Sequence, residues 1–357
     1  MTISSEAPLN RGGRFAHVDA LRAVAVMLVV VAHAGLDGVV PGGSGVTIFF
    51  AISGFVITWV TLRERDRTGG FAPAGFYARR FWKLAPPLLV AVVVPTLVYA
   101  VGHAVDWPAV ASQVFFVYNW AHLAIDGHIA VLPGSNVVWS LAIEEQFYIC
   151  FALVWWAAVR WRHAVPGLAA LSVAAVLVST GLRFAYSDGT AATADRIYYG
   201  TDTRIDGIAL GILLALAIRG GRTAWAGRTW VLVAAGAAFL VSLGVRDALF
   251  RDTVRYTVQS VCACLVIAYG FATRPTDAVA RLFHAVCGSG PAQLLGRASY
   301  SIYLCHYGII SVIPSAWPLA VRVPIGVVAG TGVGIGLYLL VEVPVSTWRR
   351  RRTGRAL

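Results

Sequence analysis

Asp19-Ala-Leu-Arg22-Ala-Val-Ala-Val-Met-Leu-Val-Val-Val-Ala-His33 is apolar at every position but three. About 20 predominantly apolar residues cross a hydrocarbon core as a helix, so this run and its neighbours predict a membrane span. Its polar residues are then costly, since a charge at the centre of such a helix is unfavourable by about 2.5–3.5 kcal/mol even on lenient scales. Arg22 and His33 are eleven residues apart. That is close to three whole turns, which puts both on one helix face, separated by a rise of about 16 Å, or half a hydrocarbon core. One face therefore carries a fixed cation near one membrane surface and a titratable imidazole deep inside. The pattern suits a ligand with an anionic end and a reactive end. Asp19 lies one turn before Arg22.

The rest of the chain repeats the signal. Of its 357 residues, 58% are hydrophobic and 13% charged, against about 25% charged in soluble domains. The predicted fold is all-α, a polytopic integral membrane protein. Ten helices are expected, at 18–36, 44–62, 81–101, 138–159, 166–186, 203–219, 229–246, 254–272, 298–315 and 322–342. They leave one transmembrane domain, 18–345, between a flexible cytoplasmic N-terminus, 1–17, and a basic cytoplasmic tail, 346–357. The net charge of +12 does not indicate nucleic acid, because of where the charge falls. With the N-terminus inside, 21 of the 29 Lys and Arg residues lie on the cytoplasmic side. This positive-inside bias places both termini in the cytoplasm. Arg349 to Arg352 then anchor the tail against anionic lipid.

The first segment also resembles a signal peptide, with Arg11 and Arg14 before it and Ala32-His33-Ala34 behind. Arg22 interrupts the apolar core, however, so an uncleaved helix is expected. The five cysteines, Cys150, Cys262, Cys264, Cys287 and Cys305, fit neither a disulfide framework nor a zinc site. They read as packing residues, and no metal ligands are assigned.

Other polar groups punctuate the spans. Small residues centre on Ser53-Gly54 in the second and permit close helix contact. Arg79, Arg80 and Lys83 open the third, either setting topology or neutralising phosphates from the cytoplasm. Pro86 and Pro87 follow and predict a kink. Val114 to Trp120, in the long outer connection 103–137, reads as re-entrant or interfacial. Glu144 and Glu145 are adjacent at the start of the fourth span and point about 100° apart, so at most one faces a given cavity. Either favours the helix dipole, orients a histidine or binds a hydroxyl. Arg204 and Asp206 read as an ion pair at the sixth span, and Ser299, Tyr303 and His306 share a face of the ninth. Residues 273–296 read as the longest inner loop. Glu342 is given no chemistry.

Five of these stretches, in this order, resemble the membrane-bound acyltransferase 3 family of bacterial O-acyltransferases, and the resemblance covers nearly the whole chain. Arg22 and His33 match its Arg/Lys-x10-His motif, and Gly45 to Thr58 its second-helix pattern. Phe76-Tyr77-Ala-Arg79-Arg80 is similar to the family's Phe-Tyr-x-Arg-Arg stretch. Trp139-Ser140-Leu-Ala-Ile-Glu144-Glu145-Gln146-Phe147-Tyr148 matches its most specific signature. Gly296 to His306 resembles Gly-x-x-Ser-Tyr-Ser-x-Tyr-Leu-x-His. One departure is Lys83, where the family's Arg-x-x-Arg pair has its second arginine. Lysine keeps the charge but loses the bidentate fork. A hydrolase-like domain, appended in larger members, is not expected here.

The resemblance implies a cytoplasmic acyl-CoA co-substrate, most simply acetyl-CoA, with no permanently bound cofactor. Arg22, Arg80, Lys83 and Arg79 are the residues expected to hold its phosphates. His33 is the expected base or acyl carrier, helped by Glu145, the favoured carboxylate, or Glu144. Trp139, Ser140, Asp19, Tyr303 and His306 are candidate substrate contacts. The acceptor is a hydroxyl of a sugar or glycan, or alternatively of a macrolide or other secondary metabolite. The expected location is the bacterial inner membrane. A transporter or flippase of a lipid-linked or anionic solute is the rival of another class, since intramembrane polar groups suit it as well.

Overall fold

The computed structural model describes residues 15–125, 129–275 and 277–353, and these contain helices but no strand. Residues 1–14 of the expected flexible N-terminus lie outside the described part. The helices are α1 Ala16–Leu36, α2 Gly42–Thr68, α3 Pro73–Tyr99, α4 Trp107–Val114, α5 Tyr118–Ala124, α6 Ser135–Ala158, α7 Ala164–Tyr186, α8 Ala191–Tyr199, α9 Thr201–Arg219, α10 Thr229–Gly244, α11 Ala248–Asp252, α12 Arg255–Ala272, α13 Ala278–Gly288, α14 Gly290–Ser311 and α15 Leu319–Arg352. Among the described residues, seven (α1, α2, α3, α6, α7, α12 and α15) are long and apolar enough to cross a membrane. The three other expected spans are also helical, as α9, α10 and α14. The chain is an all-α, multi-pass membrane protein.

Burial orders these helices. In its most apolar window α2 is 72% buried, whereas α7 is 17% buried, so α2 is central and α7 peripheral. The helices around α2 meet it through glycine. A Cβ on Gly45 would strike the Ala25 carbonyl of α1, one on Gly54 the Ile208 carbonyl of α9, and one on Gly211 the Ala51 carbonyl of α2. The pattern continues in the layer of α1, α14 and α15. Gly296 faces the Asp19 carbonyl, Gly334 faces Ile302, and a Cβ on Gly330 would lie 3.2 Å from His306. Without a hydrophobic drive between helices in lipid, such close backbone contact supplies the packing energy.

Among the described residues three spans carry a π-turn, α1, α3 and, at Tyr338–Glu342, α15. Ala32–Leu36 ends α1 as a π-turn, and Gly35 leaves helical geometry with φ 122°. His33 sits in this turn, and turns of this kind recur at functional sites. In α3, Pro86 and Pro87 remove two backbone donors, and the ladder slips into a π-turn at Leu89–Val93.

Both long connections contain helices that the hydropathy pattern does not show. The outer one forms α4 and α5. Asp106 caps α4 by accepting from Ala109 N at 3.2 Å, with Pro108 in the first turn. The inner one, expected as a loop, forms α13, whose cap Asp277 accepts from Ala280 N at 2.8 Å. α4 and α13 each start from an Asp cap that a span-length window averages away.

Candidate active site

A cavity of about 160 Å³ opens among α1, α2, α3, α6 and α14, and its wall brings together Arg22, Arg80, Lys83, Glu144 and Glu145. Arg22 and Ser299, 277 positions apart in sequence, thus share one polar chamber. Arg22 Nε donates to Ser299 Oγ at 3.1 Å and to the Gly296 carbonyl at 3.4 Å. Arg80 pairs with Glu145, and its guanidinium lies 3.5 Å from the Tyr148 ring centre. Glu144 accepts from Ser53 Oγ at 3.0 Å. Lys83 Nζ meets Glu342 Oε2 at 2.5 Å, and Ser301 Oγ donates to Glu342 Oε1 at 2.5 Å. Glu342 is therefore part of this cluster and no mere inner-edge residue. Its position at the end of an apolar span is the signal that could have found it.

A second group lies one turn further along α14. Tyr303 lines the cavity and exchanges a hydrogen bond of 2.7 Å with Ser140 Oγ. Three residues on, about 4.5 Å of helix rise, stands His306, fully buried. His33 Nδ1 and His306 Nε2 are 2.8 Å apart. His306 Nδ1 also lies 2.8 Å from the Tyr303 carbonyl and 3.1 Å from that of Ile302. Carbonyls only accept, so His306 Nδ1 carries the hydrogen. In a neutral ring its Nε2 then holds a lone pair, which must accept from His33 Nδ1–H. His33 Nε2 is left with its lone pair outward from the pair. Tyr307 stacks on His33 with centroids 4.3 Å apart. Two imidazoles and a carbonyl thus fix the tautomer that a base or nucleophile requires.

The structure separates the remaining expected residues. The residue that orients His33 is His306, and neither glutamate contacts it. Trp139 is buried away from the cavity, 4.7 Å from the Tyr198 ring and 5.0 Å from Tyr199. Arg79 turns to Glu64 of α2, at 3.2 Å. Asp19 is buried where α14 crosses α1 at Gly296. The expected Arg204–Asp206 pair does not form, because residues two apart on a helix point about 200° away from each other. Asp206 instead binds Arg183 at 2.9 Å and Thr257 at 2.7 Å.

Fold and site together define a multi-pass membrane protein with a histidine pair within the helix bundle, beside a cation-lined cavity. The chain belongs to the acyltransferase 3 family: residues 15–342 match its acyltransferase domain. Relatives come from Staphylococcus aureus. The chain is 29% identical over 320 residues to "Putative O-acetyltransferase SACOL0978" of strain COL, an alignment covering 84% of this chain and 51% of that protein. It is 29% identical over 319 residues to "O-acetyltransferase OatA" of strain NCTC 8325, again covering 84% and 51%. The chain spans about half the length of these curated relatives. No solved structure matches it.

Proposed function

We propose that this chain is an O-acyltransferase of the bacterial cytoplasmic membrane. It moves an acyl group, most simply acetyl, from cytoplasmic acyl-CoA to a hydroxyl of a sugar or glycan. The observation that carries the reading is the His33–His306 contact of 2.8 Å, with its carbonyl-fixed tautomer. A transporter path gains nothing from an imidazole locked to present one lone pair; proton abstraction requires it.

In this reading the acyl-CoA phosphates meet Arg22, Arg80 and Lys83 at the cavity. The last two already hold carboxylate partners, so phosphate binding has to displace those carboxylates and gains less than the cations' charge alone implies. The thioester passes Tyr303 and Ser140 to reach the histidine pair. His33 Nε2 takes the acceptor hydroxyl proton as its oxygen attacks the thioester carbonyl. The carbon–sulfur bond breaks, and the thiolate leaves with that proton as free CoA thiol. Alternatively Nε2 itself attacks, and an acyl-imidazole passes the group on. Arg79 and Asp19, outside the cavity, act on packing and topology.

The test uses detergent-purified protein and His33→Ala, each given acetyl-CoA and longer acyl-CoAs with hexose, glycan and macrolide acceptors. Thiol release and product mass are followed together. Acceptor-dependent release, lowered about 10²- to 10⁴-fold in the variant, is expected. A macrolide product with no sugar product moves the acceptor to secondary metabolites. A folded protein that neither binds nor turns over any acyl-CoA overturns the reading in favour of transport.

A further inference from the structure

Two arginines, on α9 and α12, are buried and make no ion pair among the described residues. Arg204 of α9 is 1% exposed, and Arg255, the first residue of α12, is 8% exposed. Among the described residues Arg204 donates to neutral groups, Thr47 Oγ1 at 3.0 Å and the Tyr198 carbonyl at 3.5 Å. Arg255 makes no side-chain hydrogen bond among the described residues, and its Nε is a buried donor without a partner. Both guanidiniums lie by one ring, 3.9 Å and 5.5 Å from the centre of Tyr256. Tyr198 adds a second ring, 5.3 Å from Arg204.

The carboxylates of this region are committed elsewhere. Asp206 binds Arg183, Asp252 binds Arg251 at 2.9 Å, and Asp202 binds Arg196 at 2.6 Å. Asp195 is exposed on α8, and among the described residues it forms no ion pair with either arginine. Burying an ion costs several kcal/mol, whereas a cation–π contact returns about 0.5–2 kcal/mol. Two adjacent buried guanidiniums also repel each other. Such an arrangement is stable when an anion completes it, and the arginine fork matches phosphate or carboxylate.

We propose that Arg204 and Arg255 form a binding site for an acidic group, a phosphate or carboxylate, floored by Tyr256 and entered past Arg255 and the half-buried Tyr198. The site stands at the His33 end of α1. A Cβ on Gly43 would lie 2.7 Å from the Tyr198 ring, and one on neighbouring Gly42 would lie 3.2 Å from Ala32, the residue before His33. The acidic group belongs to a membrane phospholipid or to an acidic acceptor; the second source rests on the acyltransferase reading.

The test measures binding without turnover. Detergent-purified protein is titrated with glucose 6-phosphate, glucuronic acid and phosphatidylglycerol, with glucose and phosphatidylcholine as neutral partners. Thermal unfolding is read by tryptophan fluorescence. A saturable rise in Tm with an acidic probe, absent with its neutral partner, is expected. Arg255→Gln weakens that response about tenfold or more, and Arg204→Lys, which keeps charge but not the fork, falls between. A response to phosphatidylglycerol alone assigns the site to lipid; one to a sugar acid or sugar phosphate assigns it to the acceptor. If no acidic probe raises Tm, or if Arg255→Gln responds as the wild type does, the proposal is wrong. Arg255 is at the rim, so its variant decides even where Arg204→Lys does not fold. Intact anion binding in a protein that transfers no acyl group would support this site while overturning the acyltransferase reading.

Discussion

If His33 is the base of the proposed reaction, His306 is worth to it what a fixed hydrogen-bond acceptor is worth to any catalytic imidazole. It selects the tautomer, and loss of such a partner costs up to about 10⁴-fold in rate at other histidine sites. His306→Ala is expected to lower kcat about 10²- to 10⁴-fold with a smaller change in the acyl-CoA KM. His306→Gln, whose carbonyl can accept from His33 Nδ1–H, should recover part of that loss. Equal defects in both variants would mean that His306 serves packing alone. Glu342 makes the complementary case. Its carboxylate is buried, but the Lys83 side chain is 43% exposed, and pairs open to water are worth about 0–1 kcal/mol. Glu342→Gln should therefore lower the acyl-CoA KM no more than about fivefold, by freeing Lys83 for phosphate. A raised KM would show instead that Glu342 is needed to position Lys83. Sequence supplied the Arg22–His33 face, since helical phase is local. It did not supply the partners. His306 is 273 positions from His33, and phase within one helix does not say which other helix it faces. Arg204 and Asp206 failed for the converse reason: proximity in sequence stood in for proximity in space.

At the level of elements, hydropathy located ten helical segments because apolar length is a strong signal. The short helices α4, α5 and α13 escaped because a few turns, even with the Asp caps of α4 and α13, do not register in a span-length window. Glycines in the second span were readable as contact points, and the structure gives their partners. The contact of Gly54 with the Ile208 carbonyl is backbone against backbone, which cannot yield as a side-chain end can. Gly54→Leu is expected to destabilise the fold by about 3 kcal/mol or more, at the upper end of overpacking costs. Gly181 of α7 is the control, since a Cβ there would meet nothing within 4 Å. Gly181→Ala should be neutral or slightly stabilising through helix propensity. Thermal unfolding with size-exclusion profiles compares the two, and equal stability would remove the central role assigned to the α2–α9 crossing.

For the whole molecule, the charge asymmetry and the two polar sites make one joint demand on orientation. Under the proposed function the cation-lined cavity faces the compartment that supplies acyl-CoA, and the positive-inside bias puts 21 of the 29 basic residues on the cytoplasmic side. Those requirements coincide only if the loop joining α2 to α3 is inside, because Arg63, Arg65 and Arg67 precede it and Arg80 and Lys83 follow it. The turn between α7 and α8 is then outside. Single cysteines at Gly70 and Asp188, in a background lacking the five native cysteines, separate the possibilities. Both positions are surface turns: a Cβ on Gly70 meets only the Arg160 guanidinium, at 3.9 Å, and Asp188 is exposed. A membrane-impermeant maleimide should label the cysteine at 188 in intact spheroplasts, and the one at 70 only after the membrane is opened. The reverse pattern would put Arg80 and Lys83 beyond the reach of cytoplasmic acyl-CoA, and the donor would then have to be an extracytoplasmic one.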